Sequence, residues 1–278
     1  MFEQRLGIRL HAVTENCYLR REKMKFYEFG QKENPVIMLL PGTCCHWKNN
    51  FSYVIDLLKK DFYVVCVSYD GFDETEKSEF SDMQSETVKI ELYIKKQFQG
   101  NIHAIYGCSL GGSFVGLLMQ RRRIHMNHGI IGSSDLDEVS KEKAKLQTML
   151  IIPLFYKMLH SGKIPDFIRN RMVKRGGEEY VKNGLRMMGI GGVDMSFVSK
   201  NSMKNQFYSD LITVLGTHME VKETNIHCFF AAKMGDKYKK RYLKHFANPH
   251  IVEHDLLHEE LLVRYPEEWV NDVKNCIL

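Results

Sequence analysis

The stretch Asn101-Ile-His-Ala-Ile-Tyr-Gly-Cys-Ser-Leu-Gly-Gly-Ser-Phe-Val115 decides how the rest of this chain is read. Its first part, residues 102–106, is a β-branched and aromatic run that reads as a strand. Its last part begins an almost wholly apolar segment, 113–120, that reads as a helix. Between them lies Gly107-Cys108-Ser109-Leu110-Gly111, the pattern G-x-S-x-G. A serine on so sharp a strand-to-helix turn needs small neighbours, hence glycine on each side at two-residue spacing. The turn pushes Oγ out at the carboxyl end of the strand. The Leu110 amide, opening the next helix, then points at any oxyanion that develops there. The five-residue pattern alone arises by chance in about one chain in ten of this length at ~7% glycine. The strand before it and the helix after it give it meaning.

Working outward, short β-branched or aromatic runs at 25–29, 36–40, 62–69, 129–132, 226–231 and 250–253 also read as strands. Amphipathic stretches at 51–60, 85–98 and 259–277 read as helices between or after them. Several strands, VIMLL at 36–40 among them, are apolar on both faces, as a parallel sheet covered by helices requires. The alternation predicts an α/β fold with a mainly parallel sheet. The rhythm breaks between Ser133 and Asn225, a strand-poor block holding eight of the fifteen methionines and interrupted by Gly176-Gly177 and Gly189-Ile190-Gly191-Gly192. The organisation expected is a core of residues 1–134 and 226–278 with a helical insertion, 135–225, above the sheet.

A second element agrees with the turn at Ser109. Val36-Ile-Met-Leu-Leu-Pro-Gly-Thr-Cys-Cys-His46 is a buried strand ending in Pro41-Gly42. On these two motifs the chain resembles the α/β-hydrolase family, from about residue 25 to residue 269 apart from the insertion, with Pro-Gly where the family has His-Gly. The resemblance implies a serine hydrolase of the carboxylesterase type that cleaves an ester, thioester or similar small acyl substrate. Ser109 is its nucleophile, the amides of Thr43 and Leu110 form the oxyanion hole, and Gly42, Cys44 and His46 are candidates to line the substrate pocket. The family order of serine, acid, histidine argues against His46 as the base. It points to His258, eight residues before Pro266, over His254 at a strand end. The acid implied is Asp236, in the turn after the 226–231 strand, with Asp135 and Asp137 as alternatives. The insertion corresponds to the family's cap, whose methionines and aromatics (Phe155, Tyr156, Phe167, Tyr180, Phe197, Phe207, Tyr208) suit an adaptable apolar lid. A second reading is a catalytically silent scaffold of this fold serving as a ligand receptor. A third is a different chemistry on the same scaffold, haloperoxidase-like or cleaving a carbon–carbon bond.

Composition narrows the field further. Over 278 residues, 44% hydrophobic and 26% charged, the chain has a globular balance, which excludes a disordered or collagen-like protein. A net charge of +5, spread except at Arg121-Arg122-Arg123 and 237–241, is too weak for a nucleic-acid partner. Seven cysteines, an odd number without a C-x-x-C pair, read as reduced thiols. No metal-ligand set has usable spacing along the chain, and no phosphate-binding or dinucleotide glycine pattern appears, so no cofactor is expected. The N-terminal stretch is too polar for a signal peptide, and the apolar run 149–159 is too short to span a bilayer. A soluble, cytoplasmic protein is expected.

Overall fold

A computed structural model describes residues 24–278; the N-terminal stretch and Cys17 lie outside them. The strands are β1 (Lys25–Phe29), β2 (Val36–Leu40), β3 (Tyr63–Ser68), β4 (Asn101–Cys108), β5 (His125–Gly132), β6 (Asn225–Ala231) and β7 (His250–His254). They form one sheet in the order β1-β3-β2-β4-β5-β6-β7. Only the β1–β3 pair is antiparallel. All seven runs predicted as strands are strands. The largest shift is at the start of β5, where His125-Met-Asn-His carries no β-branched residue yet is drawn into the ladder by β4, with Asn101 opposite His125.

The double-sided apolar pattern has its structural counterpart in β2 and β3. Ile37, Leu39, Val64 and Cys66 belong to one core, and Met38, Leu40, Val65 and Val67 to the other. Successive side chains alternate across a strand, so each strand feeds both layers. The first layer is closed by α1 (Trp47–Leu58), through Phe51, Val54 and Leu58, and by α9 (Pro266–Ile277), through Trp269 and Val273. The second is closed by α2 (Met83–Phe98), α3 (Leu110–Arg121) and α7 (Asp236–His245), through Ile90, Phe114 and Tyr242. The C-terminal helix predicted over 259–277 is two helices, α8 (Glu260–Arg264) and α9. Pro266 has no N–H to continue the first and is pre-shaped to start the second.

Between β5 and β6 stand α4 (Lys141–Ser161), α5 (Asp166–Met187) and α6 (Lys200–Leu211). The glycine pairs act as breaks: Gly177 adopts φ 78°, ψ 178° and kinks α5, and Gly189–Gly192 forms the turn after it. The six described cysteines are free. No helix among the described residues is long and apolar enough to cross a membrane.

Candidate active site

Ser109 follows β4 directly and precedes α3, with φ 50° and ψ −111°. A non-glycine residue held there is strained, and such strain persists only where the surroundings over-determine it. Those surroundings are the flanking glycines. A Cβ on Gly107 would lie 2.1 Å from the Gly111 backbone, and one on Gly111 would lie 2.3 Å from the Leu40 carbonyl oxygen. The turn is therefore pressed against both itself and β2. Ser109 N–H donates to the Gly132 carbonyl at 2.8 Å and to Glu259 Oε1 at 2.9 Å.

The loop after β2 packs on this turn, the Gly42 Cα carrying no side chain where a Cβ would meet Ser109 Cβ at 3.5 Å. Its amides are sorted by distant partners. Gly42 N–H donates to Asn50 Oδ1 at 2.8 Å, Cys44 N–H to Gln206 Oε1 at 2.6 Å, and Cys45 N–H to the Gly42 carbonyl at 3.2 Å. Among the described residues no acceptor holds the Thr43 amide.

Ser109 and His258 both line a cavity of about 350 Å³ whose floor includes Gly42, Thr43, Cys45 and Cys108. Its apolar walls come from the helices between β5 and β6: Ile151 and Phe155 of α4, Met172, Tyr180 and Met187 of α5, and Phe207 of α6. Of the aromatics singled out in that block, Phe155, Tyr180 and Phe207 face the cavity. Of the three pocket candidates, Gly42 lines it. Cys44 is fully buried with φ 54° and Cys45 takes its place, because the left-handed turn sends successive side chains to different sides. His46 is also fully buried and away from the cavity. It caps α1 by accepting from Lys48 N–H and contacts Glu74 Oε2 at 2.8 Å.

His258 keeps part of its surface open to the cavity, while its Nδ1 is buried without a hydrogen-bond partner. Burial pushes its pKa down to about 4, against a smaller upward pull from the Ser133 backbone. Its neutral form, the form that can accept a proton, is thus strongly favoured. Asp236 is exposed at the first turn of α7, and no hydrogen bond joins it to His258 among the described residues. The turn that carries it is nonetheless tied to the histidine loop, since Lys233 N–H donates to the Leu256 carbonyl at 3.1 Å. Among the described residues, no hydrogen bond or ion pair joins either alternative acid to the ring. Asp137 is ion-paired to Arg241, and Asp135 is held above the usual carboxylate range by burial and then by Asp137. His254 is engaged elsewhere, at 2.7 Å from Asp272.

The site also uses residues not legible beforehand. Asn50 and Gln206 hold the loop after β2, and Glu259 is a buried carboxyl beneath the turn at Ser109, with Tyr106 O–H donating to it at 3.4 Å. Burial raises the Glu259 pKa to about 8, despite hydrogen bonds from Cys108, Ser109 and Tyr106 that pull it down. The only signal in the sequence is the Glu259-Glu260 pair after His258, which has the composition of an ordinary helix start.

No protein-family model matches this sequence, and no curated protein matches it. Solved structures do. A protein from Desulfitobacterium hafniense assigned to the α/β-hydrolase family superposes with a TM-score of 0.73 at 14% identity, over 90% of this chain and 99% of its own. A hydrolase from Pseudomonas aeruginosa PA01 gives 0.68 at 10% identity, over 90% and 92%. A thermophilic esterase from Thermogutta terrifontis gives 0.62 at 16% identity, over 91% and 92%. At such identities the likeness is one of architecture. The chain has the α/β-hydrolase fold.

Proposed function

We propose that this chain is a serine hydrolase of carboxylic esters or thioesters with an apolar acyl group. The observation that carries the reading is one cavity lined by a strained, partly exposed serine, a histidine and the Gly42-Thr43 backbone. Ser109 Oγ attacks the acyl carbonyl while His258 takes its proton. The amides of Leu110 and Thr43 stabilise the resulting oxyanion. The tetrahedral intermediate expels the alcohol or thiol, protonated by His258, and leaves an acyl-enzyme. Water, deprotonated by the same imidazole, then releases the acid and frees Ser109.

Asp236 is proposed as the carboxylate that orients and supports His258. Its support is its place just after the turn that follows β6 and the Lys233–Leu256 tether. Helices α4 to α6, within residues 135–225, are proposed as a cap, because they supply the apolar walls above Ser109. Those walls carry no cationic side chain, so acetyl to medium acyl esters are preferred over anionic ones. Hydrolases and an esterase among the structural neighbours agree with this reading.

A fluorophosphonate tests it without knowledge of the substrate, because it attacks only a serine activated by a base and served by oxyanion donors. The folded chain gains one adduct by intact mass, mapped to Ser109, and heat-unfolded chain gains none. The buried, unpartnered Nδ1 of His258 is the observation that favours the silent scaffold instead. Absence of labelling under conditions that modify another serine hydrolase decides for that reading.

A further inference from the structure

At the end of the sheet away from Ser109, four histidines stand side by side on neighbouring strands: His103 on β4, His128 on β5, His227 on β6 and His250 on β7. The proposed hydrolase chemistry uses none of them. Their rings touch in succession, with centroids 5.1, 5.4 and 5.5 Å apart. Strand register sets one of these pairs directly, since His227 lies opposite His250 in the parallel ladder. Their two Nδ1 atoms are 3.2 Å apart. Helix α9 crosses this point and brings Cys276 Sγ to 3.9 Å from the same His250 nitrogen. The three donor atoms fall within 4.8 Å of one another.

We propose that His227, His250 and Cys276 form a binding site for a divalent transition-metal ion of the zinc class, with a fourth position open to water. Two imidazoles and a thiolate are the donor set that Zn²⁺ favours. Tetrahedral bonds of the usual zinc lengths place two nitrogens about 3.3 Å apart and a nitrogen and sulfur about 3.6 Å apart. The two distances of 3.2 and 3.9 Å lie close to these values, and the third pair, His227 Nδ1 and Cys276 Sγ, lies within 4.8 Å. Without an ion, two facing Nδ1 atoms share one proton at most. With one, both lone pairs are used.

The surroundings prepare the ligands. His227 Nε2 is 3.2 Å from His128 Nδ1, so an N–H there donating to His128 leaves His227 Nδ1 as the lone pair for the metal. His128 packs edge-on against His103, whose Nε2–H donates at 2.9 Å to the carbonyl of Ile277, the residue after Cys276. The row is thereby tied to the helix end that carries the sulfur. Binding releases the Cys276 thiol proton to water as the sulfur–metal bond forms. An entry path exists. His250 is exposed, Cys276 is half-buried, and His227 and His250 border a cavity of about 270 Å³. Separation along the chain hid the set: positions 227, 250 and 276 show no ligand spacing.

The test uses full-length, tag-free protein treated with a chelator and then dialysed. Zn²⁺ is titrated in competition with a chromophoric chelator, and Co²⁺ is followed by absorption. The expected result is one ion per chain, bound at about micromolar Kd or tighter, with a thiolate-to-cobalt charge-transfer band. His250→Ala and Cys276→Ser, both at accessible positions, each weaken Zn²⁺ binding about 100-fold, and Cys276→Ser removes the band. Zn²⁺ also slows alkylation of Cys276 by iodoacetamide, read by peptide mass on the unsubstituted protein. Absence of binding, an affinity in either variant equal to that of the unsubstituted protein, or unchanged Cys276 alkylation in saturating Zn²⁺ overturns the site.

Discussion

The two ends of the parallel strands are built in different ways. At the carboxyl end the working groups come from turns and loops that meet only in the folded chain. Glu259 binds the Ser109 amide, and Gln206 holds the Cys44 amide of a loop at the other end of the sequence. At the other end the histidines sit within neighbouring strands, where His227 is paired with His250 and their rings meet edge to face, while His128 and His227 stack. Loop-built groups can be aimed one by one at a substrate and can carry strain, as Ser109 does. Ladder-built groups are rigid and equally spaced, which suits an ion with fixed bond lengths. The contrast teaches that chemistry at the first end depends on tertiary aim, and at the second on pairing.

The largest expected effect tests the aim. Ser109→Ala and His258→Ala each lower kcat/KM on a p-nitrophenyl ester by about 10³-fold or more, with unchanged circular dichroism. Asp236→Asn lowers it comparably if that carboxylate serves His258; full activity in this variant breaks the proposed triad. The pH–rate profile of the free enzyme sharpens the same point. His258 works as a base only when neutral, and burial without a carboxylate sets its pKa at about 4. Activity therefore holds down to about pH 5 and falls tenfold per unit well below 4. An acid limb between 6 and 7 means a carboxylate reaches Nδ1 during turnover.

Smaller effects separate the two ends. Saturating Zn²⁺ raises the Tm of chelator-treated protein by about 5 °C, since an ion that binds only the folded state stabilises it. Ester turnover stays within about twofold in the same samples, because the ion contacts nothing at the elbow; a loss of turnover that follows chelation breaks the separation. The smallest effect concerns Glu259. Its folded pKa of about 8 lies above the ordinary 4.5, so between these values the folded chain holds a proton that the unfolded chain has lost. Stability therefore falls as pH rises from about 4.5 to 8 and levels off beyond. Glu259→Gln, neutral at every pH, flattens that slope in thermal melts.

Read alone, the sequence determined the seven strands, the α/β layering and the serine elbow. These rest on local signals: β-branched runs, apolar periodicity, and glycines at positions where a Cβ would lie inside neighbouring backbone. The helical block between β5 and β6 was equally legible from its methionines and its lack of strands. Tertiary structure decided what no local signal carries. It turned Cys44 away from the cavity and Cys45 toward it, made His46 a buried cap, and set the Glu259 carboxyl beneath Ser109. It left Asp236 exposed and His258 Nδ1 buried without an acceptor. It also gathered His227, His250 and Cys276 to one point. The physical reason is that a residue's conformational preference is written in its neighbours along the chain, whereas burial, pKa and hydrogen-bond partners depend on groups that only packing brings near.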